Sequence, residues 1–282
     1  MKISGRVIAK ELYEELYSEV AVLAKKNIIP HLVIIKSVDI EAVNNYIGQK
    51  LKKGEKSGIK VTVIDISHDI FDVANVKNKI SKLNADQSVH GIIFQKPSSP
   101  IIDDSFDQLI DPIKDVDGFR SDSRYFGPVY LGVRKVFETI YTDTKGDIIE
   151  YLKTLNIVII GKGKTGGKPV INGLKKDGIV EENIHVIDSQ TSEEITQLWI
   201  QNADVIISAV GKANPVPVSY LRSSSILIDI GIHFNEQNEI QSDFNKDEIN
   251  DIVAYYTTSP GGIGALTVVY LLKNVVASAS TQ

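Results

Sequence analysis

Seven short apolar runs, at 31–35, 61–64, 91–94, 157–160, 184–187, 205–208 and 226–229, constrain this 282-residue chain more than any other feature. Runs such as Ile157-Val158-Ile159-Ile160 lack the apolar-polar alternation of a strand with one wet face, so they belong inside sheets covered on both sides. The stretches between several of them have helical periodicity. Residues 7–27 place Val7, Ile8, Leu12, Leu16, Val20 and Leu23 among Lys and Glu, 41–57 form a charged helix ending at Gly58, and further helices are expected near 71–83 and 264–279. Strands alternating with helices predict an α/β fold with mainly parallel sheets, and ligands then gather beyond the strand C-termini. A fresh cycle starting around 142–149 predicts a second α/β unit.

Charge narrows the partners. With 31 Lys and Arg against 36 Asp and Glu, the formal net charge of -5 offers no basic footprint for nucleic acid, so a small-molecule site is expected. The absence of cysteine excludes disulfides, thiolate nucleophiles and cysteine-ligated metals. The N-terminus carries no apolar signal core, and no window is expected to reach the roughly 18 apolar residues of a membrane span. A cytoplasmic protein without a membrane partner is the expectation.

The sharpest local motif is Gly161-Lys162-Gly163-Lys164-Thr165-Gly166-Gly167-Lys168-Pro169, directly after one apolar run and before an expected helix. It matches the dinucleotide-binding G-x-G-x-x-G spacing, where backbone amides and a helix N-terminus receive a phosphate; it is not a Walker A loop, which needs Lys and Ser or Thr after its last glycine. Glycines also end strands for steric reasons alone. Tyr46 and Lys50 stand one helical turn apart, yet among Lys52, Lys53 and Lys56 they read by themselves as a solvated face. Gln95 follows the third run, where an active-site group belongs. Lys114-Asp115-Val116-Asp117-Gly118 hints at calcium, but the rest of an EF-hand loop is missing. No metal is expected, since the five histidines have no ligand spacing. Ser259-Pro260-Gly261-Gly262-Ile263-Gly264 would let backbone pass close to a ligand, or simply turn into the last helix.

Taken together, these blocks resemble the bifunctional methylenetetrahydrofolate dehydrogenase/methenyltetrahydrofolate cyclohydrolase family. The similarity extends from Ser4 to Asn274, through Tyr46-x-x-x-Lys50, Gln95-x-Pro97, residues 114–119, the glycine turn at 161–169, residues 203–212, Ile228-Asp229-Ile230-Gly231 and residues 260–264, in the family's order. It implies oxidation of 5,10-methylenetetrahydrofolate by a nicotinamide cofactor, then hydrolysis to 10-formyltetrahydrofolate. It also implies that Lys50 is the acid/base, with Tyr46 positioning the folate and Gln95 bonding Lys50. Asp117 would bind the amino edge of the pterin, with Pro260, Gly261 and Gly262 nearby. The nucleotide would meet Gly161, Lys162, Gly163, Thr165 and Gly166, then Asp188, Ser189 and Ile232. The expected division is a folate domain at 1–125 plus 262–282 and a Rossmann-like domain at 140–260, with the active site in the cleft between them; the resemblance further implies a homodimer.

Departures bear on the cofactor and the cleft. The usual Gln-Leu-Pro-Leu-Pro reads Gln95-Lys96-Pro97-Ser98-Ser99-Pro100, and the usual Pro-Cys-Thr-Pro reads Gly127-Pro128-Val129-Tyr130. The second change keeps open a non-catalytic folate- or nucleotide-binding paralogue, or another two-domain nicotinamide dehydrogenase. Asp188 favours NAD, because an acid after the second strand binds the ribose 2′-OH and repels a 2′-phosphate. Lys162, Ser189 and Thr191 favour NADP, which is the expected cofactor, with NAD use as the alternative.

Overall fold

The first apolar run is central to its sheet. In the computed structural model, which describes residues 1–68, 72–141, 147–237 and 239–282, β1 (His31–Lys36) pairs in parallel with β2 (Lys60–Asp65) on one side and β3 (Gly91–Phe94) on the other. All six residues of β1 are buried. The chain packs as two units, one of Lys10–Pro128 with Val268–Gln282, the other of Met1–Ala9 with Val129–Thr267.

In the first unit, α1 (Gly5–Ala24) contributes its portion beyond Ala9, and α2 (Glu41–Lys56) and α3 (Val73–Ala85) connect the strands. Asp72 caps α3 by accepting from the Asn75 amide, 2.9 Å away. Val33, Ile35, Val76, Ile80, Ile92, Phe94 and Phe106, the last on α4 (Asp104–Asp107), form the core against one sheet face. Because α2 returns the chain to one side of β1 and α3 to the other, the sheet has a switch point between β1 and β3.

The second unit opens with α5 (Pro128–Ile140) and α6 (Ile148–Leu152). Its sheet has the order β10-β7-β6-β4-β5, all parallel, with β4 (Ile157–Ile160), β5 (Ile184–Ile187), β6 (Val205–Ser208), β7 (Ile226–Asp229) and β10 (Tyr255–Tyr256). The crossovers α7 (Gly167–Lys176) and α8 (Glu193–Asn202) leave β4 beside both β5 and β6, another switch point. A hairpin of β8 (Ile232–Phe234) and β9 (Ile240–Ser242), then α9 (Lys246–Ile249), complete it. Tyr130 of the altered 127–130 block is fully buried on α5, and its hydroxyl donates to Asp177. The residue there is a packing anchor for α7.

Residues 262–267 and Met1–Ala9 pack with the second unit. One expectation needs correction. The last helix, α10 (Ile263–Thr281), is long and apolar enough to cross a membrane by length and composition, contrary to the reading that no window qualifies. Its apolarity is that of a core helix, since Ile263, Leu266, Val269, Leu272, Val275 and Ala279 are buried. The expected start of the second cycle lies partly at 142–146, outside the described residues, as does residue 71 at the expected start of α3.

Candidate functional site

Helical periodicity delivers Lys50 to the inside of α2. Val43, Ile47, Lys50 and Gly54 occupy one buried stripe, and Lys50 keeps 9% of its surface, while Lys52, Lys53 and Lys56 are exposed. A lysine in an apolar stripe loses hydration, so burial pulls its amine below the usual range and the nearby Asp117 opposes the fall. Its Nζ donates to Gln95 Oε1 at 2.7 Å. The Gln95 amide is itself oriented, because Nε2 donates to the Lys96 carbonyl at 2.7 Å and leaves the oxygen facing Lys50. Gln95 directly follows β3, at the switch point.

Asp117 reaches this place on a segment secured at Lys114 and Asp115. The Lys114 ammonium donates to the carbonyls of Leu83, Asn84 and Asp86, and Ile92 of β3 donates to the Lys114 carbonyl at 2.8 Å. The Asp115 carboxylate accepts from the backbone amides of Gly118, Phe119 and Arg120. Asp115 is therefore a turn-building residue, and Asp117 is left to face Lys50. Burial pushes the Asp117 carboxyl up to about 6, with the Lys50 charge working against the rise. Lys50, Gln95 and Asp117 thus share one end of the sheet. Tyr46 stands one turn earlier on α2, 38% exposed.

Lys96 stands where the family motif has Leu. Its Nζ pairs with Asp107 Oδ2 at 3.0 Å, both side chains almost fully buried, and lies 5.7 Å from the Phe94 and Phe119 ring centroids. This pair escaped the sequence reading, although a lysine beside a buried Phe was a visible signal.

In the second unit the glycine turn sits at the switch point between β4 and α7. Gly161 has φ +90°, and a Cβ on Gly167 would lie 1.9 Å from the Gly161 carbonyl, so the turn closes on itself only with glycine at both ends. Cβ atoms on Gly161 and Gly166 would meet Ala209 at 3.0 and 2.9 Å, so this turn packs directly on the segment that follows β6. Gly163 is open, with exposed Lys162, Lys164, Thr165 and Lys168 around it. An exposed cationic turn feeding a ten-residue helix suits a dinucleotide's phosphates.

Asp188 lies immediately after β5, as a ribose-binding acid does, despite standing 27 positions beyond Gly161. Lys162 and Asp188 are partners rather than independent groups, with Nζ 2.7 Å from Oδ2, and Lys162 holds the carboxyl below its usual range. Ser189 is exposed, and Thr191 Oγ1 accepts from the Asp188 amide at 3.1 Å. Ile232, at the start of β8, brings its carbonyl against Gly211. Pro260 lines a cavity of about 560 Å³ with Asn214, His233, Ser242, Phe244 and Ser259, all in the second unit; Gly261 and Gly262 follow it in that unit. Among the described residues no cluster of His, Asp or Glu is arranged for a metal.

Comparisons with known proteins identify the family. Residues 3–117 match the catalytic domain of tetrahydrofolate dehydrogenase/cyclohydrolase, and residues 142–282 match its NAD(P)-binding domain. The chain is 32% identical over 282 residues to the bifunctional protein FolD of Agathobacter rectalis, covering 97% of each. It is similar to the crystal structure of the bifunctional FolD enzyme of Campylobacter jejuni, with a TM-score of 0.87 and 28% identity over 100% of this chain and 99% of that one. A Trypanosoma brucei FolD structure, complexed with NADP cofactor and inhibitor, shares the fold at TM-score 0.87 and 22% identity, with 100% and 97% covered. The chain belongs to the tetrahydrofolate dehydrogenase/cyclohydrolase family, enzymes of one-carbon metabolism that oxidise methylenetetrahydrofolate and hydrolyse the methenyl product.

Proposed function

We propose that Lys50 is the proton-transfer group of the hydrolytic step and that NADP is the preferred cofactor. The observation that carries the first assignment is the buried Lys50 amine, hydrogen-bonded to Gln95 and facing Asp117. Water attacking the methenyl carbon must lose a proton, and burial, by lowering the Lys50 pKa, favours the neutral amine that can accept it. The Gln95 carbonyl holds that amine in place in either protonation state, because ammonium and amine both donate. Asp117, once ionised, accepts from the paired N–H donors of the pterin edge, and Tyr46 supplies a ring at the exposed margin of α2.

The nicotinamide, when bound, accepts a hydride from the methylene carbon. The glycine turn at 161–167 would hold its phosphates, and Lys162 would supply a cation for a 2′-phosphate. NAD remains a second reading because Asp188 already occupies Lys162; binding a 2′-phosphate there requires that ion pair to open. Absorbance assays of methylene- and methenyltetrahydrofolate turnover, each with NADP, with NAD and with neither, test the reading. Hydrolysis without cofactor and oxidation favouring NADP are expected. Undiminished methenyltetrahydrofolate hydrolysis by a folded Lys50→Met variant would refute the assignment of Lys50.

A further inference from the structure

A buried carboxylate on the β9–α9 connection does work that no motif announces. Asp243 is fully buried, and three donors converge on it from the last residue of β6 and the segment after it: the Ser208 hydroxyl at 2.5 Å and the Val210 amide at 3.1 Å on Oδ2, and the Lys212 amide at 3.1 Å on Oδ1. Its own carbonyl accepts from the Asn214 amide at 2.6 Å. The approach is possible only beside glycine, since a Cβ on Gly231 would stand 2.0 Å from Oδ2. Both of its carboxyl oxygens act as acceptors, the Ser208 contact buried and the two amide contacts part-buried.

The segment so held is the one against which Gly161 and Gly166 pack, through Ala209. Asp243 thereby connects the end of β6 to the glycine turn of β4 at the switch point of the sheet. We propose that Asp243 is a positioning residue for the nicotinamide dinucleotide: by clamping residues 208–212 it fixes the wall on which the phosphate-binding turn is built. Its neighbour Asp229 is also buried, and accepts the Phe244 amide on Oδ2 while Oδ1 has no hydrogen-bond partner. Burial, and after it the Asp243 charge, push the Asp229 carboxyl well up.

The inference rests on the nicotinamide reading of this unit, and the experiment separates the two. Asp243→Asn preserves shape but must turn its NH₂ toward the Val210 or the Lys212 amide, leaving a part-buried backbone donor facing a donor. The Kd values of NADP and NAD would be measured by calorimetry, beside the Kd of 5-formyltetrahydrofolate and the unfolding midpoint. An unsatisfied part-buried donor predicts a roughly 10- to 100-fold weaker Kd for both dinucleotides, with the folate Kd unchanged. Ser208→Ala, which removes one donor and leaves both backbone amides paired, should weaken dinucleotide binding by roughly 2- to 10-fold, and it decides the question if Asp243→Asn does not fold. Unchanged dinucleotide affinity in the folded variants overturns the assignment, as does equal loss of folate and dinucleotide affinity in step with the unfolding midpoint. Wild-type protein that binds neither dinucleotide overturns the nicotinamide reading itself, and the assignment with it.

Discussion

Replacing Asp117 with Asn should stabilise the ligand-free protein while weakening its grip on folate, and the stability gain should depend on pH. The carboxyl is raised from its ordinary 3.8 to about 6, chiefly by burial. A raised carboxyl pKa favours the folded state only while protonated, so the contribution is complete below about pH 4 and is lost as pH rises through about 6. At 1.36 kcal/mol per pK unit the full loss is about 3 kcal/mol at pH 8, and about half of it has already occurred at pH 5. Asn has the same shape and no titration, so the gap between Asp117→Asn and wild type should widen by about 1.5 kcal/mol between pH 5 and pH 8. Urea unfolding of both proteins at the two pH values and constant ionic strength measures it. In a Lys50→Met background the gap should widen further, because the cation that restrains Asp117 is gone. A gap that does not change with pH would refute the buried-carboxylate reasoning. Separately, 5-formyltetrahydrofolate affinity should fall by about 1.5 to 3 kcal/mol, the worth of a charged hydrogen bond; retained affinity would remove Asp117 from the pterin site.

Lys50→Met should lower methenyltetrahydrofolate hydrolysis by ~10²- to 10⁴-fold, with an unaltered circular-dichroism spectrum. Asp188→Ala should raise the ratio of NADP to NAD affinity by freeing Lys162, and Lys162→Ala should weaken NADP more than NAD; titration of both variants with both cofactors checks this, and equal effects alongside a wild-type preference for NAD would refute NADP as the cofactor. Gly173→Ala would place a Cβ 2.1 Å from the Tyr130 ring, an overpacking cost of about 1 to 3 kcal/mol that thermal unfolding should register.

Most strands were legible because burial on both faces writes itself as short apolar runs; those at 91–94, 157–160, 205–208 and 226–229 coincide with the buried β3, β4, β6 and β7, and 184–187 with the half-buried edge strand β5. Elements stabilised by their neighbours rather than by their own composition were not. Tyr255–Tyr256 is two residues long and pairs only because β7 offers an edge, and the β8–β9 hairpin has no Asn-Gly or Asp-Gly turn signal. Lys50 is an intermediate case. By charge it belonged with Lys52, Lys53 and Lys56, but by phase it belonged with Val43, Ile47 and Gly54, and phase decides which lysine is desolvated.

The same contrast explains why the acids divided as they did. Asp117 stands in a compact block where the donors to Asp115 lie three to five residues away, so its turn is locally encoded and the family motif preserves it as a word. Asp243 draws its donors from residues 31 to 35 positions earlier, and Gln241-Ser242-Asp243-Phe244 carries no pattern that separates it from an exposed acid. What converts it into a clamp is the absence of a side chain at Gly231 and the parallel register of β6 with β7, where Ser208 stands opposite Asp229. A carboxylate held by distant backbone can be found only by asking, of each buried acid, which donors neutralise it and what those donors would otherwise be free to do.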